Sequence, residues 1–317
     1  MAEILPLSEI QDARQRIAPC IRRTPLTATS ALSERLKTNV YVKLELFQKT
    51  GSFKIRGAFN KILAMKAHER GQGVVAVSGG NHAQAVAHAA HTLGLKSTIL
   101  MPESTPKNYV EATRGYGAQI KFAKNVHEAF TEVAEFERLG WAFVHPFDDP
   151  AVMAGQGTIG LEILEDAPQV TDVIVSIGGG GLMSGVASAV KALKPSVHVW
   201  GVETEGADCM AKSMAAGRVI TLDAITSIAR TLGAPAPSER TLEMAKKLLD
   251  SVTVVSDREA LDALRFILER LKVLTEPAAS CTLAAADRLK KHFTPDRHVV
   301  LILCGGNMPM EDLARIC

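Results

Sequence analysis

Eight strongly β-forming runs alternate with helix-patterned stretches along this chain, and that alternation constrains the fold more than any other feature. The runs are VYVKLEL (40–46), VVAVS (74–78), STILMP (97–102), QIKFA (119–123), WAFVHP (141–146), DVIVSIG (172–178), VHVWGVE (197–203) and HVVLILCGG (298–306). Between them lie stretches such as NHAQAVAHAAHTLG, VHEAFTEVAEFERLG, GLMSGVASAVKALK and DREALDALRFILERL. Val- and Ile-rich runs that each lead into a helix predict an α/β fold of open, twisted, mainly parallel sheets flanked by helices and joined by right-handed crossovers. An aromatic content of only 5% with 24 glycines argues against a β-sandwich. The 317 residues exceed what one small core holds, so two lobes are expected. The chain is expected to cross between them near 145–158, where prolines, paired acids and glycines interrupt the pattern in HPFDDPAVMAGQGT.

The 36 Lys and Arg against 34 Asp and Glu leave a formal charge of +2, which excludes a charge-driven binder of nucleic acid or membrane surfaces. No apolar run approaches the roughly 18 residues of a membrane span, and the N-terminus lacks a signal-peptide core. Cys20, Cys209, Cys281, Cys304 and Cys317 form no CxxC pair and no Cys/His ligand spacing. They read as reduced thiols of a cytoplasmic protein without structural zinc.

Ligands of open α/β sheets sit where strands give way to helices, and four such junctions stand out. Gly178, Gly179, Gly180 and Gly181 follow the strand DVIVSI and open an Ala/Val-rich helix. Four side-chain-free residues present successive N–H groups beside the positive end of a helix, which makes a phosphate cradle, although a tight turn would use glycines too. A dinucleotide fits poorly. GxGxxG begun at Gly178 meets Met183, begun at Gly180 it fails at Leu182, and the Walker pattern meets Val186 where it needs lysine. A monophosphate fits better.

Lys54, between Phe53 and Ile55 at an expected helix start, stands where the positive helix end and apolar neighbours disfavour an ammonium, although a lone lysine is more commonly just solvated. Ser78, Gly79, Gly80, Asn81 and His82 open another helix and suit a carboxylate, or simply a capped turn beside a buried histidine. Cys304 in LCGGN is a weak donor at a strand end or a small buried hydrophobe.

In order along nearly the whole chain, RRTPL (22–26), SFKIRGA, SGGNHAQ, HPFDD, AGQGT, SIGGGGL, VETEGA, TEPA and CGGN resemble the pyridoxal-phosphate enzymes of the tryptophan synthase β-like fold, fold type II. The resemblance is specifically to the serine/threonine dehydratases and their serine racemase relatives. It implies that Lys54 carries pyridoxal phosphate as a Schiff base and serves as base for the α-proton. Phe53 would lie against the ring, Asn81 would contact its phenolic oxygen, and Gly178 to Gly181 would hold the phosphate. Ser78, Gly79, Asn81 and His82 would receive the substrate carboxylate, and Cys304 would hydrogen-bond the ring nitrogen.

The implied activity is that of an L-threonine/L-serine dehydratase, an ammonia-lyase of amino-acid catabolism that eliminates water to give a 2-oxo acid and ammonia. A thiol leaves the ring nitrogen neutral where an aspartate would protonate it, which favours elimination over a long-lived carbanion. Dehydration of 3-hydroxyaspartate or a phenylserine is the alternative, since the linear sequence does not measure the pocket. Serine racemisation is opposed by Gly79, where the family's racemases carry a second serine. A non-catalytic amino-acid binder is opposed by Lys54 together with the glycine loop. Glu203, Ala207 and Asp208 resemble the family's cation loop, suited to K⁺, Mg²⁺ or Ca²⁺, with a solvated acidic turn as the other reading. The resemblance further implies a large cofactor-binding domain (1–47 with 148–317), a small domain (48–147) and a homodimer. Biosynthetic threonine deaminases append a regulatory domain, and feedback control through one is not expected here.

Overall fold

The computed structural model describes residues 4–316, so Cys317 lies outside the described residues. In chain order the strands are β1 (Leu26–Ala28), β2 (Asn39–Leu44), β3 (Gly73–Val77), β4 (Ser97–Pro102), β5 (Gln119–Ala123), β6 (Trp141–Phe143), β7 (Asp172–Ser176), β8 (His198–Thr204), β9 (Ser251–Val255) and β10 (His298–Leu303). The helices are α1 (Leu7–Ile17), α2 (Ser30–Leu36), α3 (Lys54–Ala64), α4 (Asn81–Thr92), α5 (Lys107–Gly115), α6 (Val126–Arg138), α7 (Pro150–Asp166), α8 (Gly181–Leu193), α9 (Cys209–Ala216), α10 (Glu239–Leu248), α11 (Asp257–Leu271), α12 (Pro277–Leu289) and α13 (Met310–Ile316).

Two sheets form. The larger runs β1-β2-β10-β7-β8-β9 and is parallel apart from β1, which pairs antiparallel to β2 at the edge. The smaller, β5-β4-β3-β6, is wholly parallel. All eight β runs read from the sequence are strands. β1 and β9 add to them: β1 is three residues long, and β9 is a half-buried edge strand with a weak apolar pattern.

The strand order brings the chemistry together. Because β2, β10 and β7 are parallel neighbours, their carboxyl ends share one edge. Lys54 follows β2, Cys304 follows β10 and the glycine loop follows β7, so residues up to 250 positions apart (304 − 54) meet there.

Through segment 145–158 the chain leaves β6 of the small sheet on its way to β7 of the large one, but the interruption is shorter than the sequence suggests. The break is confined to its first residues, because Pro150 is the first residue of the 17-residue α7. Asp149 caps it, accepting from the N–H groups of Ala151 at 2.8 Å and Val152 at 3.2 Å. The acid and the proline are helix-start signals. The glycines that looked like breakers are close-packing positions inside the helix: a Cβ on Gly155 would stand 2.5 Å from the Arg56 carbonyl oxygen, and one on Gly157 2.9 Å from that of Gly185. α7 thereby nests against α3 and α8. Gly185 is the tightest of these sites, with Met153 O 2.2 Å from the position of a Cβ. Gly185→Ala should therefore cost about 1–3 kcal/mol of stability, measured by urea unfolding, because the obstacle is backbone and cannot rotate away.

Candidate active site

Lys54 is the first residue of α3, and the backbone before it is fastened to the end of β10. Phe53 N–H donates to Cys304 O at 3.0 Å, and Ser52 forms a β-bridge with Gly305. Behind the same helix turn lies a sealed ionic cluster. The fully buried Arg56 donates to Glu45 at 2.8 Å and to Glu162 at 2.7 Å, and Lys43 donates to Glu162 at 2.6 Å. Two cations and two anions balance there with their hydrogen bonds made, which sets α3 against β2 and α7.

The Lys54 side chain is partly buried. Its ammonium lies over the Phe53 ring, 5.2 Å from the centroid, and donates to Pro146 O at 2.7 Å. Desolvation pushes it down to about 8 from the ordinary 10.5, against the opposing pull of the Glu276 carboxylate.

Facing it is the glycine loop. One pocket is lined by Phe53, Lys54, Asn81, Gly178, Gly179, Gly180, Gly181 and Cys304, together with Phe147, Ser176, Thr231 and Glu276. No carbonyl or side chain among the described residues accepts a hydrogen bond from the N–H groups of Gly179, Gly180 or Gly181. None of these positions admits a Cβ freely: one on Gly179 would stand 2.2 Å from the Phe147 ring, and one on Gly180 2.7 Å from Thr241. Gly180 also has φ of +98°, which disfavours other residues. The loop therefore offers bare donors at the N-terminus of α8, as a phosphate requires.

Cys304 is buried, and desolvation raises its thiol well above the ordinary range, so it stays protonated. Asn81, the first residue of α4, is engaged on both sides. Its Nδ2 donates to Glu276 at 2.9 and 3.1 Å, and its Oδ1 accepts from Asn307 Nδ2 at 2.8 Å.

Ser78, Gly79 and His82 flank this pocket at the amino end of α4. Ser78 Oγ accepts from Gly80 N–H at 3.0 Å. His82 Nε2 meets Val144 O at 2.8 Å, and burial lowers the ring to about 3, so the imidazole is neutral with its proton on Nε2. Its Nδ1 has no partner among the described residues.

Glu203, Ala207 and Asp208 gather behind the glycine loop. Glu203 is fully buried and caps α9, accepting from Met210 N–H at 2.9 Å and Ala211 N–H at 2.7 Å, while Asp208 pairs with Lys212 at 3.0 Å. Among the described residues no group of three His, Cys, Asp or Glu could hold a metal.

A desolvated lysine opposite an anion cradle, with a neutral thiol beside them, suits a cofactor that joins an aldehyde to a phosphate. The family model for pyridoxal-phosphate dependent enzymes matches residues 17–305. The chain belongs to this family.

Its cofactor is accordingly pyridoxal phosphate, and the bare N–H groups and the pocket lining fit it. Relatives of this pyridoxal-phosphate enzyme include the L-threonine ammonia-lyase of Thermotoga maritima, 42% identical over 99% of this chain and 78% of that one. The catabolic L-threonine dehydratase of Staphylococcus aureus is 41% identical over 99% and 92%. Among solved structures, maize serine racemase superposes with a TM-score of 0.94 at 37% identity, covering 99% of this chain and 97% of its own. The T.th. threonine deaminase does so at 0.89 and 40%, covering 96% and 98%.

The lining residues not singled out from the sequence include Phe147, Thr231 and Glu276. Phe147 stacks edge-on to His145 at 4.7 Å and closes the glycine face, and Thr231 donates to Glu276 at 2.8 Å. Glu276 stands just before Pro277 at the start of α12. An acid followed by proline and an alanine run is a helix-start signal, and it hid the acid's second role.

Proposed function

We propose that the protein is a pyridoxal-phosphate-dependent L-threonine/L-serine ammonia-lyase, which removes water from a β-hydroxy amino acid to give a 2-oxo acid and ammonia. One observation carries the reading. A desolvated Lys54 faces an anion cradle in a chain 41–42% identical, over nearly all its length, to proteins named L-threonine ammonia-lyase or dehydratase.

When bound, the cofactor supplies an electron-accepting ring conjugated to the substrate α-carbon. Gly178 to Gly181 and the α8 N-terminus would hold its phosphate, Phe53 would lie against the ring, and Asn81, which Glu276 and Asn307 hold in place, would contact the phenolic oxygen. Ser78, Gly79, Asn81 and His82, at the N-terminus of α4, receive the substrate carboxylate. Lys54 in its neutral form takes the α-proton as general base. The Cys304 thiol would hydrogen-bond the ring nitrogen without protonating it, a weaker electron sink that suits loss of the β-hydroxyl. The enamine released into water tautomerises and hydrolyses to the 2-oxo acid and ammonia.

The proposal includes a large lobe of residues 1–47 with 148–317 and a small lobe of 48–147, supported by sheet membership. It also includes a cytoplasmic homodimer, for which the free cysteines support the compartment. A hard cation, K⁺, Mg²⁺ or Ca²⁺, is proposed at Glu203 and the Ala207 carbonyl. Burial holds the Glu203 carboxyl up at about 8, and a cation would relieve that cost; Asp208, which pairs with Lys212 at 3.0 Å, is a third candidate. Assaying 2-oxo acid release from serine, threonine, 3-hydroxyaspartate and phenylserine, with and without K⁺ and Mg²⁺, tests the substrate class. Preference for 3-hydroxyaspartate or phenylserine would overturn the assignment to threonine and serine.

Racemisation is expected to be slight, because Gly79 has no side chain to carry a proton. The space a side chain would take is filled by Thr105, whose Oγ1 stands 2.5 Å from the position of a Cβ and donates to Pro102 O at 2.6 Å. Gly79→Ser alone should therefore disturb the loop, whereas Gly79→Ser with Thr105→Gly should form D-serine from L-serine at a rate above wild type, read by chiral chromatography. Equal racemase and dehydratase rates in the wild type would contradict this.

A further inference from the structure

Glu276 is a buried titratable group that the mechanism above leaves unused. It is 3% exposed, and its partners come from distant parts of the chain. Oε1 accepts from Asn81 Nδ2 at 2.9 Å and Thr231 Oγ1 at 2.8 Å, Oε2 accepts from Asn81 at 3.1 Å, and the Asn307 N–H donates to it as well. Asn307 Nδ2 in turn donates to Asn81 Oδ1 and to Thr50 O, both at 2.8 Å. Asn81 begins α4 and ends the loop Ser78–Asn81, so this network joins the small sheet's carboxylate loop to the loops of the large sheet.

We propose that Glu276 is a positioning residue: its ionised carboxylate fastens Asn81, and with it the loop that receives the substrate carboxylate, to the large lobe, and its protonation releases that loop. The inference rests on the amino-acid reading of the site given above.

The hydrogen-bond inventory supplies the reason. Asn81, Thr231 and Asn307 all donate, and an ionised carboxylate only accepts. A proton on either oxygen sets donor against donor. Asn81 spans both oxygens, so either placement costs it a bond. Burial raises the carboxyl to about 7, with the Thr231 and Asn81 hydrogen bonds opposing, so the change falls in the neutral range. Facing Glu276 are Lys54 from α3, Tyr109 from α5, Cys304 after β10 and Cys281 on α12 itself. Burial raises Tyr109 and both thiols, which stay neutral there, so Lys54 is the other member of this set that changes charge. Glu276 also borders a cavity of about 160 Å³, lined in part by Tyr109, Arg230, Thr231, Asn307 and Asp312 and wide enough for waters that bring the proton.

The sign follows. Glu276 takes up a proton as pH falls through about 7, so amino-acid affinity should fall on the acid side and appear in KM more than in kcat. The experiment uses holoenzyme and two readouts across pH. One is L-threonine turnover, and the other is equilibrium binding of L-alanine, which lacks the β-hydroxyl, followed by cofactor absorbance. Thr231→Val removes a bond that holds the carboxyl down, so the acid limb should move to higher pH. Glu276→Gln should abolish the limb and raise KM about tenfold, as for one lost charged hydrogen bond. A limb unmoved by Thr231→Val, or retained in Glu276→Gln, overturns the proposal, and the first suffices if Glu276→Gln fails to fold. A wild type that binds L-alanine with this pH dependence but releases no 2-oxo acid contradicts the reaction assignment and leaves the role of Glu276 standing.

Discussion

Lys54→Ala should lower turnover by at least about 10⁴-fold, because the proposed mechanism asks one side chain both to hold the cofactor covalently and to move the α-proton. The site is built for that amine. With its ammonium pushed down to about 8, about one Lys54 in ten is neutral at pH 7, against fewer than about one in a thousand for an ordinary lysine. The helix start that carries it is fixed by the Phe53 to Cys304 hydrogen bond and by the sealed Arg56, Glu45, Glu162 and Lys43 cluster. Removing the side chain beyond Cβ leaves that frame intact, so the variant should unfold like the wild type while losing turnover and covalent cofactor. Measuring turnover, unfolding and borohydride-trapped cofactor together separates the two effects. Wild-type turnover in the variant would mean that the nucleophile has been misplaced.

Gly180→Val should weaken cofactor binding by about 10²-fold or more while leaving the large sheet folded. Valine is poorly tolerated at a φ of +98°, and its Cβ would stand 2.7 Å from Thr241 Cβ, so the loop must move to admit it. Displacing two N–H groups from a phosphate forfeits about 1.5–3 kcal/mol each, and tenfold in binding corresponds to about 1.4 kcal/mol. Titrating cofactor-free protein with pyridoxal phosphate reads the dissociation constant. Unchanged affinity would remove the glycine loop from the phosphate site.

Much of this site was legible in the sequence because strand-to-helix junctions carry strong local signals. Lys54, the four glycines and Cys304 each follow a strand, and the parallel order of β2, β10 and β7 makes them neighbours. What escaped notice depends on contacts between distant segments. Glu276 reads locally as a helix start and acquires its meaning from Asn81, 195 residues away. Phe147 lies in a Pro-bounded crossing, and only packing reveals that its ring covers Gly179. The glycines of α7 looked like breaks because a small residue that admits a neighbouring helix has the same one-letter signature as one that ends a helix. β9 was missed for a related reason: a half-buried edge strand lacks the apolar contrast that marked β3 and β7.

The most direct measurement follows ammonia and 2-oxobutanoate together as the holoenzyme is mixed with L-threonine. Equal amounts of the two, lost in Lys54→Ala and restored by no added cofactor, is the predicted result. No 2-oxo acid from a protein that has bound pyridoxal phosphate at Lys54 would contradict it.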